Sequence, residues 1–117
     1  MCEIVAWHDG RRLMDYVTCG TGSYFDFYKL MPTSLYPADL GVPYAAALKA
    51  VTTHALVQAE SHVRTYDGAN AVLAAGHADL VSIVRGQIAD PQLVNKGRSG
   101  RAAEVRQCIS CNQLCWG

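Results

Sequence analysis

The apolar residues of the chain fall into short runs separated by stretches with helical spacing. Three runs predict strands, at residues 15–19, 54–59 and 79–84. Each run is short and apolar without clean alternation, which is typical of parallel strands covered on both faces. Helices are predicted over residues 43–51, from an N-cap at Asp67 to Gly76, and from Asp90-Pro91 to about Gly100.

Alternation of strands and helices predicts an α/β fold with a parallel sheet built from βαβ units. A closed (β/α)₈ barrel needs about 250 residues, and this chain has 117. The chain is therefore either a small open α/β domain or the last three units of a barrel. Residues 1–13 resemble the end of a helix without an N-cap residue. This favours the interpretation that the chain is part of a larger protein.

Composition and charge narrow the class of partner. Half of the residues are hydrophobic and 17% are charged, so the chain can build a core. Ten Lys and Arg residues balance ten Asp and Glu residues, which argues against nucleic acid or an anionic membrane and favours a small-molecule substrate. The chain contains neither an apolar run of about 20 residues nor a secretory start, so we expect a cytoplasmic protein.

Three of the five cysteines form a C-x₂-C-x₃-C cluster at Cys108, Cys111 and Cys115. Thiolates at this spacing can converge on one iron–sulfur cluster, and zinc accepts such a set with a fourth ligand. Free thiols or a redox Cys-x-x-Cys pair are the alternatives. Neither Cys2 nor Cys19 is obviously placed to supply a fourth thiolate.

Two polar groups follow the second and third predicted strands. Arg85, between Val84 and Gly86, can hold a phosphate with two parallel hydrogen bonds, while Gly86 lets the phosphate approach closely. Ser61 and His62 can offer a hydroxyl, backbone donors and an imidazole to the same phosphate. The alternatives are a surface arginine paired with a carboxylate and a loop histidine with only structural hydrogen bonds.

Aromatic residues concentrate in the long loop between residues 20 and 42. Six of the eight Tyr and Phe residues lie between Tyr24 and Tyr44. Such a loop can cover a flat ligand, or it can simply pack onto the sheet. The hydroxyls of Tyr24 and Tyr28 are candidates for donating a proton or positioning a substrate.

Several motifs together resemble one family. The segments are Gly76-His77-Ala78-Asp79-Leu80-Val81-Ser82-Ile83-Val84-Arg85, Ile88-Ala89-Asp90-Pro91, Asn95-Lys96, Gly100-Arg101 and Cys108-Ile109-Ser110-Cys111-Asn112-Gln113. They resemble the C-terminal barrel segment of the old yellow enzyme family. The similarity is greater to its iron–sulfur flavoprotein branch, which includes 2,4-dienoyl-CoA reductase, trimethylamine dehydrogenase and N-methyl amino-acid demethylases.

The resemblance implies a flavin site. The three strands would be the sixth to eighth of the (β/α)₈ barrel, with Arg85 on the FMN phosphate and the backbone around Val84 and Gly86 assisting. Ser61 and His62 stand where relatives usually carry Gly or Asn followed by Arg. This difference leaves backbone donation intact and puts the side-chain contact in doubt.

The resemblance also implies a metal centre and further regions. Cys108, Cys111 and Cys115 match three of the four ligands of a [4Fe–4S] cluster. Residues 1–107 would then be a partial FMN-binding barrel, and residues 108–117 a truncated cluster-binding segment. The family's first five strands and its C-terminal nucleotide-binding region, which would bind FAD or NAD(P)H, are absent from the sequence.

The implied activity is that of an FMN- and [4Fe–4S]-dependent oxidoreductase, active only as the longer parent protein. Tyr24 lies near the position where dienoyl-CoA reductases carry a proton-donating His, so we expect a different substrate, a small N-methylated amine or amino acid that is oxidatively demethylated. The electron partner would be NAD(P)H or an electron-transfer protein. The alternatives are an NAD(P)H-dependent enoate or dienoyl-CoA reductase and a non-enzymatic zinc-binding module.

Overall fold

Eleven short elements make up the fold of residues 1–115. The computed structural model describes residues 1–115. The helices are α1 (Cys2–Asp9), α2 (Phe27–Leu30), α3 (Val42–Lys49), α4 (Tyr66–Ala74), α5 (Arg85–Ala89) and α6 (Leu93–Arg98), the strands are β1 (Tyr16–Thr18), β2 (Leu56–Ala59) and β3 (Leu80–Val81), and single 3₁₀ turns cover Tyr24–Asp26 and Ala102–Glu104.

The three strands form one parallel sheet in the order β1-β2-β3, which confirms the predicted α/β class. One face, with Val57 and Ala59, is buried beneath α3 and α4. The opposite face is exposed at Tyr16, Leu56 and Leu80. The prediction of strands covered on both faces is therefore wrong for residues 1–115, since the helices described there cover only one face of the sheet.

The core lies between this sheet and the two helices. Ala45 and Leu48 of α3 and Val72 of α4 meet the buried strand residues in one apolar cluster. Asp9, at the end of α1, is also buried, and its carboxylate accepts hydrogen bonds from the backbone N–H groups of residues 53–55 at 2.7–3.2 Å. The carboxylate thus fixes α1 to the segment that enters β2.

Two predicted helix starts are displaced by local hydrogen bonding. The N-cap of α4 is Thr65, whose hydroxyl accepts from the Gly68 N–H, and not Asp67. The last helix starts after Gln92 rather than at Asp90-Pro91, because Asp90 makes a tight turn by accepting from the Gln92 N–H. The third strand is shorter than predicted.

The predicted glycine stops are confirmed, since Gly76 and Gly100 adopt φ values of 68° and 74°. Across residues 1–115, no helix combines the length and hydrophobicity that crossing a bilayer requires.

Candidate cofactor site

A cavity of about 280 Å³ lies beyond the carboxyl ends of β2 and β3. Glu60 and Ser82, which directly follow these strands, line it, as do Ser61, His62 and Arg85. The carboxyl edge of a parallel sheet is where α/β folds usually bind ligands. The structure therefore brings together the two polar groups that the sequence placed after separate strands.

Arg85 is a charged residue of this cavity, which Arg64 and Glu60 also line. Its Nη1 donates to the carbonyl oxygen of Pro32 at 2.8 Å and to Oδ1 of Asn112. Within residues 1–115, neither Nε nor Nη2 has an acceptor, and Arg85 has no carboxylate partner. The alternative of a surface ion pair is thus wrong for the described part of the chain. Nε and Nη2 form the edge of a guanidinium that can bind a phosphate or carboxylate through two parallel hydrogen bonds.

The loop after β2 has an unusual backbone. Ser61 and His62 are consecutive non-glycine residues with φ values of 66° and 75°. Their carbonyls accept from the N–H groups of Gly41 and Asp39 at 3.1 and 3.3 Å. Their own N–H groups have no acceptor within residues 1–115. A side chain at Gly41 would overlap the Glu60 carbonyl oxygen, so only glycine allows this close approach.

The His62 ring is used by the protein itself. It is 5% exposed, with Nδ1 2.8 Å from the Pro37 carbonyl oxygen and Nε2 3.2 Å from the Ser110 hydroxyl. Burial lowers the pKa of His62, and the hydrogen bond with the Pro37 carbonyl opposes this shift. The positive charges of Arg64 and then Arg85 lower the pKa further. Because a carbonyl only accepts, the proton of the neutral ring lies on Nδ1, and Nε2 accepts from Ser110. The backbone N–H of His62 remains available to a ligand.

Packing requires a glycine at position 86, which the sequence alone did not indicate. Gly86 is buried, and a Cβ atom there would lie 2.7 Å from Ile83 Cγ2, 2.9 Å from the Arg64 carbonyl oxygen and 3.0 Å from Leu93 Cδ1. Glycine thus lets α5 pack directly against the loop after β2. Gly86 and Val84 both line the cavity, but Val84 is exposed.

The cysteine segment borders a second cavity of about 190 Å³, lined by Cys108, Cys111 and Cys115. Among residues 1–115, no three His, Cys, Asp or Glu side chains lie close enough to hold a metal ion. The donor set of three free thiols around one cavity nevertheless suits a thiolate-bound centre. Convergence of these thiols on one metal centre remains a prediction.

The other two cysteines lie elsewhere. Cys19 is buried, and its Sγ lies 3.9 Å from the Met1 sulfur. Burial raises the pKa of Cys19 and so disfavours the thiolate that metal binding needs. Cys2 contacts the Ala47 carbonyl oxygen at 3.9 Å. Both cysteines belong to the packing around α1 and α3.

The two cavities share a wall. Arg85, Ile88 and Cys115 line both of them. Asn112 joins the two sites further, because its Nδ2 donates to the Met31 carbonyl at 2.7 Å while its Oδ1 accepts from Arg85. Sequence reasoning missed this residue. The sequence shows that Asn112 lies between two of the cysteines. No sequence signal, however, pairs it with an arginine 27 positions earlier.

Asp90 fixes the start of the cysteine segment. Its carboxylate binds Lys96 Nζ at 2.7 Å and accepts from the Arg106 N–H at 3.0 Å. These bonds, that of Lys96 above all, lower the pKa of Asp90 to about 2. The negative charge therefore persists at neutral pH and holds residues 105–107 against α6.

The aromatic loop lies beside the cavity only in part. Leu30, Met31 and Pro32 line the cavity, whereas Tyr24, in the first 3₁₀ turn, is 90% exposed and is not among the lining residues. Tyr28 stacks on Tyr36 with ring centroids 5.0 Å apart. The catalytic role of Tyr24 stays a prediction.

Comparisons with known proteins agree on one group of enzymes. No family model matches the chain. The chain is 37% identical over 94 residues to NADH oxidase of Thermoanaerobacter brockii, a match that spans 77% of the chain and 14% of the relative. It is 28% identical over 115 residues to N,N-dimethylglycine/sarcosine dehydrogenase of Chromohalobacter salexigens, spanning 96% of the chain and 16% of the relative.

A solved structure shows the same fold. The 2-naphthoyl-CoA reductase in complex with 2-naphthoyl-CoA superposes with a TM-score of 0.82 at 23% identity, covering 96% of this chain and 17% of the reductase. The chain thus spans 14%, 16% and 17% of the length of these three proteins. The sequence similarities to these oxidoreductases, that to the NADH oxidase above all, show that the chain belongs to the old yellow enzyme family of flavin and iron–sulfur oxidoreductases.

Proposed function

We propose that the chain is part of an FMN- and [4Fe–4S]-dependent oxidoreductase. In this proposal β1, β2 and β3 are the sixth to eighth strands of a (β/α)₈ barrel, residues 1–107 bind the flavin, and residues 108–117 begin the cluster-binding segment. The parallel sheet, the cavity at its carboxyl edge and the three free thiols beside that cavity support it.

The observation that carries the proposal is the unpaired edge of Arg85. A half-buried guanidinium with Nη1 bound to protein oxygens and Nε and Nη2 without acceptors within residues 1–115 is suited to an anion. The N–H groups of Ser61 and His62 face no acceptor in that part of the chain and can add two neutral donors. This combination fits the terminal phosphate of FMN.

Cys108, Cys111 and Cys115 would hold the cluster, with a fourth ligand outside residues 1–115. When bound, FMN supplies hydride transfer with the substrate, and the cluster supplies single-electron transfer to a second partner. The chain's own contribution is position and charge. Arg85 binds the phosphate, the His62 ring joins the loop after β2 to the cysteine segment, and Tyr24 offers a hydroxyl as proton donor.

For the substrate, we propose a small N-methylated amine or amino acid that is oxidised and demethylated. The likeness over 96% of the chain to a dimethylglycine/sarcosine dehydrogenase supports this choice. The fold shared with a CoA-ester reductase favours the second candidate, reduction of an enoate or CoA ester with NAD(P)H. FAD or NAD(P)H in another region, or an electron-transfer protein, would complete either reaction.

The test uses the full-length polypeptide that contains this chain, purified under anaerobic conditions. We expect bound flavin and iron, and an Arg85→Gln variant that binds FMN about 10–100-fold more weakly, as expected for lost charge-assisted hydrogen bonds. Riboflavin, which lacks the phosphate, should bind the variant and the parent equally. Arg98→Gln, an exposed arginine on α6, is the matched control and should bind both flavins normally.

Each alternative has its own result. A colourless protein that contains zinc and no flavin would replace the redox proposal with a zinc-binding module. An Arg85→Gln variant with an unchanged preference for FMN over riboflavin would remove the phosphate assignment. Anaerobic bleaching of the flavin by sarcosine alone would support the N-methylated substrate, whereas bleaching by NADH that is reversed when a cinnamoyl ester is added would support the enoate or CoA-ester reductase.

A further inference from the structure

We infer that Asn112, inside the cysteine segment, is a positioning residue that fixes the Arg85 guanidinium for phosphate binding. The inference rests on the proposed flavin site and deepens it. It assigns a role in flavin binding to a residue of the metal-binding segment, so that the folding of one site prepares the other.

The hydrogen bonds of Asn112 use both ends of its amide. Oδ1 accepts from Nη1 of Arg85, and Nδ2 donates to the Met31 carbonyl at 2.7 Å. The second hydrogen of the same Nη1 goes to the Pro32 carbonyl at 2.8 Å. Because the Met31 carbonyl can only accept, the amide has one possible orientation, with its oxygen towards the arginine.

This arrangement determines which donors of the guanidinium remain free to bind a ligand. Both hydrogens of Nη1 are occupied, so the donors without acceptors within residues 1–115 are those of Nε and Nη2. These two atoms are the pair that binds a phosphate through two parallel bonds. An arginine whose guanidinium is already held in place loses less conformational freedom when it binds a phosphate, and this strengthens the complex.

A second set of hydrogen bonds, made by Ser110, holds the cysteine segment in place. Ser110 is buried, its hydroxyl contacts the His62 ring at 3.2 Å, and its carbonyl accepts from the Ser34 N–H at 3.2 Å. The cysteine segment is therefore fixed to the loop after β2 and to the residues after α2 independently of Asn112. Removal of the Asn112 amide should change the arginine without releasing the segment.

The backbone at Asn112 allows a clean substitution. Its φ is 60°, a conformation that glycine adopts without strain. An Asn112→Gly variant therefore deletes the amide and keeps the backbone. Leu114 is the matched control, because it has a φ of 64° in the same segment, lies one residue before Cys115 and is 98% exposed.

The experiment measures dissociation constants for FMN and riboflavin with the full-length polypeptide, by quenching of flavin fluorescence. We expect Asn112→Gly to bind FMN about tenfold more weakly, the size expected for one lost charge-assisted contact, while riboflavin affinity stays the same. Leu114→Gly should match the parent for both flavins. Iron content and absorbance of each protein are recorded alongside.

A double-mutant cycle separates positioning from general damage. In the Arg85→Gln background, Asn112→Gly should have no further effect on FMN, because the group that it positions is gone. The cycle is repeated after iron is removed with a chelator, so that loss of metal in one variant does not confound the comparison. Equal effects of Asn112→Gly in both backgrounds, or an unchanged FMN affinity in a flavin-binding protein, would overturn the inference.

Failure of the proposed function gives a different result. In that case the parent polypeptide itself binds neither FMN nor iron, and no preference for FMN over riboflavin exists to be altered. A parent that binds both groups, with an Asn112→Gly variant that behaves like Leu114→Gly, rejects only the role of Asn112.

Discussion

Substitution of Gly86 tests the packing between α5 and the loop after β2. An alanine Cβ there would lie 2.9 Å from the Arg64 carbonyl oxygen and 2.7 Å from Ile83 Cγ2. These atoms must retreat by about half an ångström, at a typical overpacking cost of about 1–3 kcal/mol. Alanine regains about 1 kcal/mol over glycine in a helix. The net destabilisation should therefore be about 0–2 kcal/mol, which places the variant about 1–3 kcal/mol below a glycine-to-alanine change that meets no such contacts.

The assay is thermal unfolding of the full-length polypeptide, followed by circular dichroism and by the temperature at which flavin fluorescence appears. A loss of 1 kcal/mol in the free energy of unfolding lowers the midpoint of thermal unfolding by about 2–4 °C in a domain of about 150–250 residues. Gly10→Ala is the control, because Gly10 has a φ of −62° and its added Cβ would meet only the Ala6 carbonyl oxygen, at 3.3 Å. A Gly86→Ala variant as stable as this control would refute the packing argument.

Two further predictions concern the core and acid stability. Leu48 is 2% exposed, so Leu48→Ala should destabilise the fold by about 2–5 kcal/mol in urea unfolding because it leaves a cavity. The control Leu35→Ala, at a residue that is 90% exposed, should leave urea unfolding unchanged. Backbone N–H groups, that of Ala55 above all, lower the pKa of Asp9 to about 2. The charged form therefore stabilises the fold above pH 4, and this stability is lost as the pH falls towards 2. Asp9→Asn should flatten the pH dependence of unfolding in that window, and an unchanged slope would contradict the assignment.

The order of elements and the parallel sheet followed from local sequence patterns. Proline at the start of a helix and glycine at its end act within a few residues, so Gly76 and Gly100 were predicted correctly. The start of α4 was displaced because Thr65 accepts from the Gly68 N–H, and the start of α6 because Asp90 accepts from the Gln92 N–H in a turn before the helix.

The candidate site was predictable only as separate pieces. Arg85 and the cysteines stood out because charge and thiols are rare in apolar surroundings. The partners of Arg85 are a carbonyl and an amide from segments 53 and 27 positions away, and carbonyls carry no sequence signal. The burial of His62 and its two ring contacts likewise depend on how Pro37 and Ser110 meet in three dimensions.

The shared wall between the two cavities limits how this protein can be recombined with its relatives. A chimera that exchanges the chain after residue 107 would place a foreign cysteine segment against Arg85 and Ile88, which line both cavities. The contacts that join the two cavities therefore cross that boundary. Successful grafts should carry Pro32, Arg85 and Asn112 from a single parent.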